Sequence, residues 1–229
     1  MNYLKATGSG LLVATGLKKT ASPKFDVIES FNDYEEREYP TTRWISCTVT
    51  SKKYSDALSD GFWKCYRYIQ GKNDQEKSFE VTLPVISVVD RQETETEVDD
   101  TFTTSFYLDE SAIEEGKGIP RPTEEGVYIE EKPSMKLLVR KFTGFTGKEA
   151  TWIAESKKLL VSSLDKGYVL AEHPPVFVHY DPPFKPMNKR SEVWLILKPD
   201  TPVIVEDLQE NGEEQPLAQE EQPQAQEEI

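Results

Sequence analysis

The same order of predicted elements occurs twice along this chain, and this repetition restricts the fold more than any single motif does. Each half opens with a near alternation of apolar and polar residues, which predicts a strand, and continues with a helical spacing of apolar residues and two further strand-like runs. Such a repeat indicates an internal duplication in which two equivalent layers share one core. The predicted elements are a strand at 44–50, a helix at 55–70 and strands at 77–89 and 101–108, then a strand at 135–142, a helix at 148–164 and strands at 175–180 and 192–197.

Two short acidic motifs echo each other in front of the two halves. Tyr34-Glu-Glu-Arg-Glu-Tyr-Pro40 precedes the first predicted strand, and Tyr128-Ile-Glu-Glu-Lys-Pro133 precedes the corresponding strand of the second half. Capping signals favour a helix that starts near Ser55 and ends at Gly71. We therefore expect an α+β fold with a mainly antiparallel, strongly curved sheet and two helices.

Composition divides the 229 residues into a body and two flanking segments. An apolar fraction of 37% is enough for one main core. The end of the chain from Glu206 carries nine acidic residues and no basic residue, which predicts an acidic disordered tail at 201–229. We expect a flexible basic segment at 1–24, a domain at 25–200 with repeats at about 25–120 and 121–200, and then this tail.

Charge and cysteine usage exclude several classes of partner. The formal net charge of −14 and the lack of a basic, aromatic-rich stripe argue against nucleic acid. Cys47 and Cys65 form no metal-binding or redox motif, which fits a reducing compartment. The apolar stretch at 10–17 is too short for an integral membrane segment. The expectation is a cytoplasmic protein, with association with mitochondria as the alternative.

The first predicted helix carries aromatic residues outside its core stripe. At 100° per residue, Trp63, Tyr66 and Arg67 fall in an arc that neighbours the apolar stripe and should face solvent. One interpretation is a cleft for a flat apolar ligand with carboxylates, stacked on the aromatics and paired with Arg67. The other is that a second sheet layer covers the aromatic rings and that Arg67 pairs with a surface acid.

A second cluster of cations lies beside three prolines, Pro182, Pro183 and Pro186. These prolines would restrict Lys185, Lys189 and Arg190 at the mouth of a hairpin, where a fixed basic rim would suit an anion. A solvated turn is the alternative interpretation.

Several spaced motifs lie between about residues 25 and 198. They are Tyr34-Glu-Glu-Arg37, the stretch 61–74 from Gly-Phe-Trp-Lys to Gly-Lys-Asn-Asp, Val81-Thr-Leu-Pro-Val85, Ser105-Phe-Tyr-Leu108, Val127-Tyr-Ile-Glu-Glu131, and Tyr180-Asp-Pro-Pro-Phe-Lys-Pro followed by Glu192-Val-Trp-Leu195. In type and order these motifs closely resemble the SOUL haem-binding protein family, whereas the N-terminal segment and the acidic tail lie outside the resemblance.

The resemblance implies a distorted antiparallel β-barrel with two helices, built from two pseudo-symmetric strand-helix-strand-strand repeats. It also implies haem or free porphyrin as the bound ligand, lying against the first helix. Ring contacts then fall on Phe62, Cys65 and Tyr66, beside Trp63, and the carboxylates fall near Arg67 and Lys185.

This sequence departs from the family where some members have a histidine proposed to bind iron. That position is Glu38 here, and the two histidines, His173 and His179, lie in the second repeat, where we expect structural or solvated roles. No metal ligand is therefore assigned. Trp63 and Tyr66 are bulkier than residues often found at their positions, and they would either stack on a porphyrin or fill the cleft.

The leading functional prediction is a monomeric, non-catalytic carrier or buffer of tetrapyrroles, with no catalytic residues. One alternative is an interaction protein that recruits a protein partner through the acidic tail or the exposed helix. A less favoured alternative is a small-molecule hydrolase that uses Glu36, Glu38 and Tyr39.

Overall fold

The computed structural model describes residues 20–51, 53–91, 100–181, 185 and 188–199. These residues form two α-helices and nine β-strands. In chain order they are β1 (Asp26–Ser30), β2 (Glu35–Tyr39), β3 (Thr42–Ser51), α1 (Tyr54–Ile69), β4 (Val85–Asp90), β5 (Asp100–Tyr107), β6 (Val127–Lys132), β7 (Met135–Gly144), α2 (Glu149–Ser163), β8 (Val176–His179) and β9 (Lys189–Ile196). Within the described ranges, neither helix is long and apolar enough to cross a lipid bilayer.

All nine strands belong to one antiparallel sheet with the order β1-β2-β7-β9-β8-β4-β5-β3-β6. From β2 to β6 the order is symmetric about its centre (palindromic), with each strand of one half matched by a strand of the other. In one half β7 lies between β2 and β9, and in the other β3 lies between β6 and β5. The sheet remains open, with β1 and β6 at its two edges, and β1 joins β2 through an irregularity between Val27 and Glu29.

Both helices pack on the same face of the sheet. The cross-strand partners Phe177, Ser87 and Thr104 lie on one face of β8, β4 and β5. Trp152 of α2 stacks on Phe177 with ring centroids 5.1 Å apart. The Cys65 thiol of α1 contacts the Thr104 carbonyl oxygen at 3.5 Å. Because strand side chains alternate between faces, the opposite face receives no helix.

A buried ion-pair network stabilises that opposite face. Arg37 of β2 donates to both carboxylate oxygens of Glu192 of β9 at 3.1 and 3.2 Å, and its side chain is only 1% exposed. The Tyr180 hydroxyl and the Trp194 indole N–H also donate to Glu192, at 3.0 and 2.8 Å. Burial alone would lower the pKa of Arg37, but the Glu192 charge raises it above its ordinary value. Arg37 therefore keeps its charge inside the protein.

The structure confirms the α+β class, the two helices and the antiparallel sheet. The predicted barrel is not confirmed, because the hydrogen-bonded strand order does not close. The two-repeat architecture remains a prediction, and the palindromic strand order is compatible with it. The domain boundaries also remain predictions. Residues 1–19 and 200–229 lie outside the described residues.

Two local predictions were wrong. The segment 77–84 is not a strand: Asn73 binds the backbone of Lys77, Phe79 bonds to the last turn of α1, and β4 begins only after Pro84, which has no N–H to donate. Helix α1 starts at Tyr54, and Lys53 at its N-cap provides no side-chain cap, so the expected cap near Ser55 is absent. The end at Gly71 is confirmed, with φ of 104° in the left-handed region that glycine tolerates.

Replacing Arg37 with methionine should lower the free energy of unfolding by about 3–5 kcal/mol, because Glu192 would remain buried without its partner. Urea unfolding measures this. Arg43 is the matched control, since it pairs with Glu110 and Glu131 at a partly exposed surface. Arg43→Met should cost less than about 1 kcal/mol. Equal losses in the two variants would contradict the assigned role of the buried pair.

Candidate functional site

The outward side of α1 carries four of the predicted site residues, Phe62, Trp63, Tyr66 and Arg67, and is called the α1 face below. A close approach at Gly61 positions this side. A Cβ atom at Gly61 would lie 2.8 Å from the Thr104 hydroxyl oxygen, so only glycine allows α1 to lie this near β5. The apolar stripe predicted for α1 therefore packs against the sheet, and Ala57, Gly61 and Cys65 are buried.

The aromatic rings of the α1 face form one cluster. Phe62 and Tyr66 stack with centroids 6.0 Å apart and nearly parallel planes. Trp63 meets both rings edge-on, at 5.3 and 5.6 Å. Trp63 is 37% exposed, whereas the other three tryptophans are at most 4% exposed. The second sheet layer that the alternative interpretation required does not bury Trp63, and a large apolar surface faces solvent.

Arg67 lies one helical turn after Trp63 and is already paired. Its Nε and Nη2 atoms donate to the two carboxylate oxygens of Glu124, at 2.9 and 2.5 Å. Lys72 also approaches Glu124, at 3.5 Å. The hydrogen bonds from Arg67 hold the pKa of Glu124 below its usual value. The expectation of a surface acid beside Arg67 is thus correct, and a ligand carboxylate would have to share or displace that acid.

Cys65 lies on the sheet side of α1 rather than on the α1 face. The residue has no exposed surface, and burial raises the pKa of its thiol far above the ordinary value. Cys65 therefore supports the aromatic cluster from beneath, as a small apolar residue.

Lys185 belongs to a second ion-pair cluster, which centres on Asp181. Its ammonium group lies 3.0 Å from the Asp181 carboxylate, and Arg190 binds the same acid through its backbone N–H and its guanidinium. Among the described residues, no ion pair or hydrogen bond joins Lys185 to the α1 face. The prolines predicted to brace this turn, Pro182, Pro183 and Pro186, lie outside the described residues.

Comparisons with known proteins place this geometry in a family. Residues 20–196 match the model of the SOUL heme-binding protein family. The chain belongs to the SOUL family. It is 34% identical to human Heme-binding protein 2 over 167 residues, which are 72% of this chain and 78% of that protein. It is 30% identical to Heme-binding protein 1 of Xenopus laevis, over 71% of this chain and 83% of that protein.

A solved structure supports the fold alone. The crystal structure of the EcmrR C-terminal domain superposes with a TM-score of 0.50 at 13% sequence identity, covering 72% of this chain and 96% of that domain.

Neither histidine of this SOUL family member lies on the α1 face. His179 is partly buried under α2, where its ring meets Trp152 at 4.6 Å and its Nε2 atom bonds to the Ser87 hydroxyl at 3.0 Å. Desolvation beneath α2 and, to a smaller extent, the Lys189 charge together lower the pKa of His179 to about 3. His173 is exposed, and its Nδ1 atom bonds to the Pro174 carbonyl oxygen at 2.6 Å. The structural and solvated roles expected for the two residues agree with these positions.

A groove beside α2 was not predicted from the sequence. Its volume is about 500 Å³, its floor includes Phe177 and Leu195, and its rim includes Leu160, Lys157 and His173. Arg91 also lines it but is engaged by Asp100 and Glu149. The His-Pro-Pro sequence at 173–175 was the available signal, because stiff backbone there forms one wall.

The residues named for a hydrolase do not converge. Glu36 and Glu38 lie on one face of β2 and Tyr39 on the other, because strand side chains alternate. The Tyr168 hydroxyl donates to Glu36 at 2.9 Å, while Tyr39 contacts Arg37 on the helix-free face. These three side chains therefore cannot act together as an acid and base pair.

Acid should destabilise the protein through His179. Its folded pKa is below its unfolded value, so the unfolded chain binds the extra proton and stability falls as the pH drops below about 6.5. Between pH 7 and pH 5 the contribution should be on the order of 2 kcal/mol. Urea unfolding at both pH values measures it. His179→Gln should show a smaller loss and His173→Gln the full loss, and an unchanged loss in H179Q would contradict this assignment.

Proposed function

We propose that this SOUL family member binds haem or a metal-free porphyrin on the α1 face and serves as a carrier or buffer of tetrapyrroles rather than as an enzyme. The observation that carries the proposal is the exposed Trp63 packed against Phe62 and Tyr66, in a chain of this family. The names of its relatives, Heme-binding protein 1 and 2, support the same ligand class.

The aromatic cluster fits the ring of such a ligand. A tetrapyrrole is a flat apolar molecule, and burying apolar area provides about 25 cal/mol per Å². Trp63 would contact the ring first because it projects furthest into solvent, with Phe62 and Tyr66 held behind it by their stacking. Cys65 would contribute from beneath these rings rather than by direct contact.

The cations near the α1 face would orient the ligand. When bound, haem supplies a flat ring, a coordinating iron atom and two carboxylates. Arg67 is positioned to hold one carboxylate through its planar guanidinium. Lys185, with 33% of its side chain exposed, would hold the other if its loop approached α1.

The residues present fit the ring and the carboxylates better than the iron. His179 is partly buried and engaged by Ser87, His173 lines the groove beside α2, and the Cys65 thiol stays protonated. Binding is therefore dominated by the ring and its carboxylates, and metal-free porphyrin should bind about as well as haem. Such a ligand exchanges without breaking an iron bond, as a carrier or buffer requires.

We further propose a monomeric state, a cytoplasmic location with mitochondrial association as the alternative, the absence of a nucleic-acid partner, and a protein partner recruited by the acidic tail. Removing residues 201–229 separates the two functional classes, because a carrier keeps its ligand and a tail-dependent adaptor loses its partner.

Titration of the apo-protein with haemin and with protoporphyrin IX tests the function. Soret absorption and tryptophan fluorescence should both report saturable one-to-one binding, with similar affinities for the two ligands. Trp63→Ala should weaken binding by about tenfold, because stacking and contact area are lost. Trp63→Phe, which keeps a ring, should lose less.

Two variants control for location. Phe145→Ala removes an exposed ring in the loop before α2, and Leu160→Asp places a charge in the α2 groove. Neither should change the affinity. Tighter binding in Trp63→Ala would mean that the indole fills the cleft, loss of binding in Leu160→Asp would move the ring to the groove, and no binding by the wild type would reject the proposed function.

A further inference from the structure

Glu124 pairs with Arg67 of the α1 face and with Lys72, which follows the end of α1. It lies in the turn before β6, and its carboxylate contacts the Arg67 guanidinium through both oxygens and the Lys72 ammonium at 3.5 Å. The Glu124 side chain is 13% exposed, whereas Arg67 and Lys72 are 43% and 49% exposed. The acid thus lies beneath two cations that face solvent.

This arrangement is the one that a ligand carboxylate would adopt. A planar guanidinium binds a carboxylate through two parallel hydrogen bonds, and a neighbouring ammonium group strengthens the pair. Glu124 occupies the Nε–Nη2 edge of the Arg67 guanidinium and offsets its charge. A ligand carboxylate would therefore share the remaining guanidinium donors with Glu124 or displace it, and its attraction to Arg67 is opposed by the Glu124 charge.

The strength of the Arg67–Glu124 ion pair determines how much Glu124 lowers the affinity of the α1 face for a ligand carboxylate. Hydrogen bonds from Arg67 keep Glu124 ionised well below neutral pH. The pair is partly open to water, so its free energy is modest and a ligand with two carboxylates can displace it. An ester or another uncharged ligand makes no demand on Arg67 and meets no competition.

We propose that Glu124 is an internal competitor for ligand carboxylates and thereby sets how tightly the α1 face binds acidic tetrapyrroles. The inference rests on the proposed function and adds a specificity residue to it. Glu124 lowers the affinity for dicarboxylate rings, leaves the affinity for neutral rings unchanged, and so keeps release fast.

The ion-pair cluster around Asp181 differs from the one around Glu124, and the difference makes Glu124 the better acid to substitute. Asp181 also holds two cations, Lys185 and Arg190, but it accepts the Arg190 backbone N–H at 2.6 Å as well and is 5% exposed. Removing Asp181 would disturb the β8–β9 connection. The Glu124 carboxylate, by contrast, pairs only with the side chains of Arg67 in α1 and of Lys72 just after it. A glutamine of the same shape can replace it.

The test compares protoporphyrin IX with its dimethyl ester, both added from the same detergent stock, on wild type and Glu124→Gln. The free acid should bind roughly threefold to tenfold more tightly to E124Q than to wild type, because Arg67 and Lys72 are released. The ester should bind both proteins equally. In the double variant Arg67→Gln with Glu124→Gln, most of the gain should disappear.

Glu131→Gln is the matched control, since it removes one charge from an exposed arginine pair with Arg43 and should change neither affinity. Unfolding midpoints in urea show that all variants are folded. An unchanged or weaker affinity of E124Q for the free acid overturns the proposal, as does an equal gain for the ester. If wild type binds neither ligand, the proposed function fails first and this inference fails with it.

Discussion

The alternation of side chains across one continuous sheet is the constraint on which the rest of the structure depends. Both helices cover the same face, so the residues of the other face must find their cover within the sheet itself. Trp44, Leu137 and Trp194, from β3, β7 and β9, belong to one buried cluster there. Side chains from strands far apart in the sheet order therefore cover one another on the helix-free face, and the Arg37–Glu192 pair is buried on that same face.

The same constraint explains why α1 presents aromatic residues to solvent. Its sheet side is fixed by Gly61 against Thr104, and Trp63 and Arg67 therefore lie on the exposed side of the helix. The Arg67 charge that accompanies these rings is balanced by Glu124, and the Lys185 and Arg190 charges are balanced by Asp181 in a separate cluster.

The sequence predicts the helices and strands whose apolar residues recur at a regular spacing. It misses those that depend on contacts with residues distant in the chain. The α1 face and both helices follow from spacing alone. Strands β1, β2 and β6 were missed, because charged residues interrupt their apolar pattern and the burial of Arg37 depends on Glu35 and on Glu192, the latter 155 positions away. The echo between the motifs at 34–40 and 128–133 was the available signal. The spacing of residues also could not reveal that Arg67 pairs with Glu124. Nor could it reveal that the segment 77–84 is held by hydrogen bonds to the Asn73 side chain instead of pairing with a neighbouring strand.

The open sheet has a further consequence at its edges. β1 is fully exposed, carries Asp26 and Glu29, and is bent by its irregular pairing, while β6 carries Glu130 and Glu131. Like charges and bent strands hinder another chain from adding to an edge. That protection is electrostatic, so dissolved salt weakens it. The two edges are therefore the places where a strand of another chain would add first when the charges are screened.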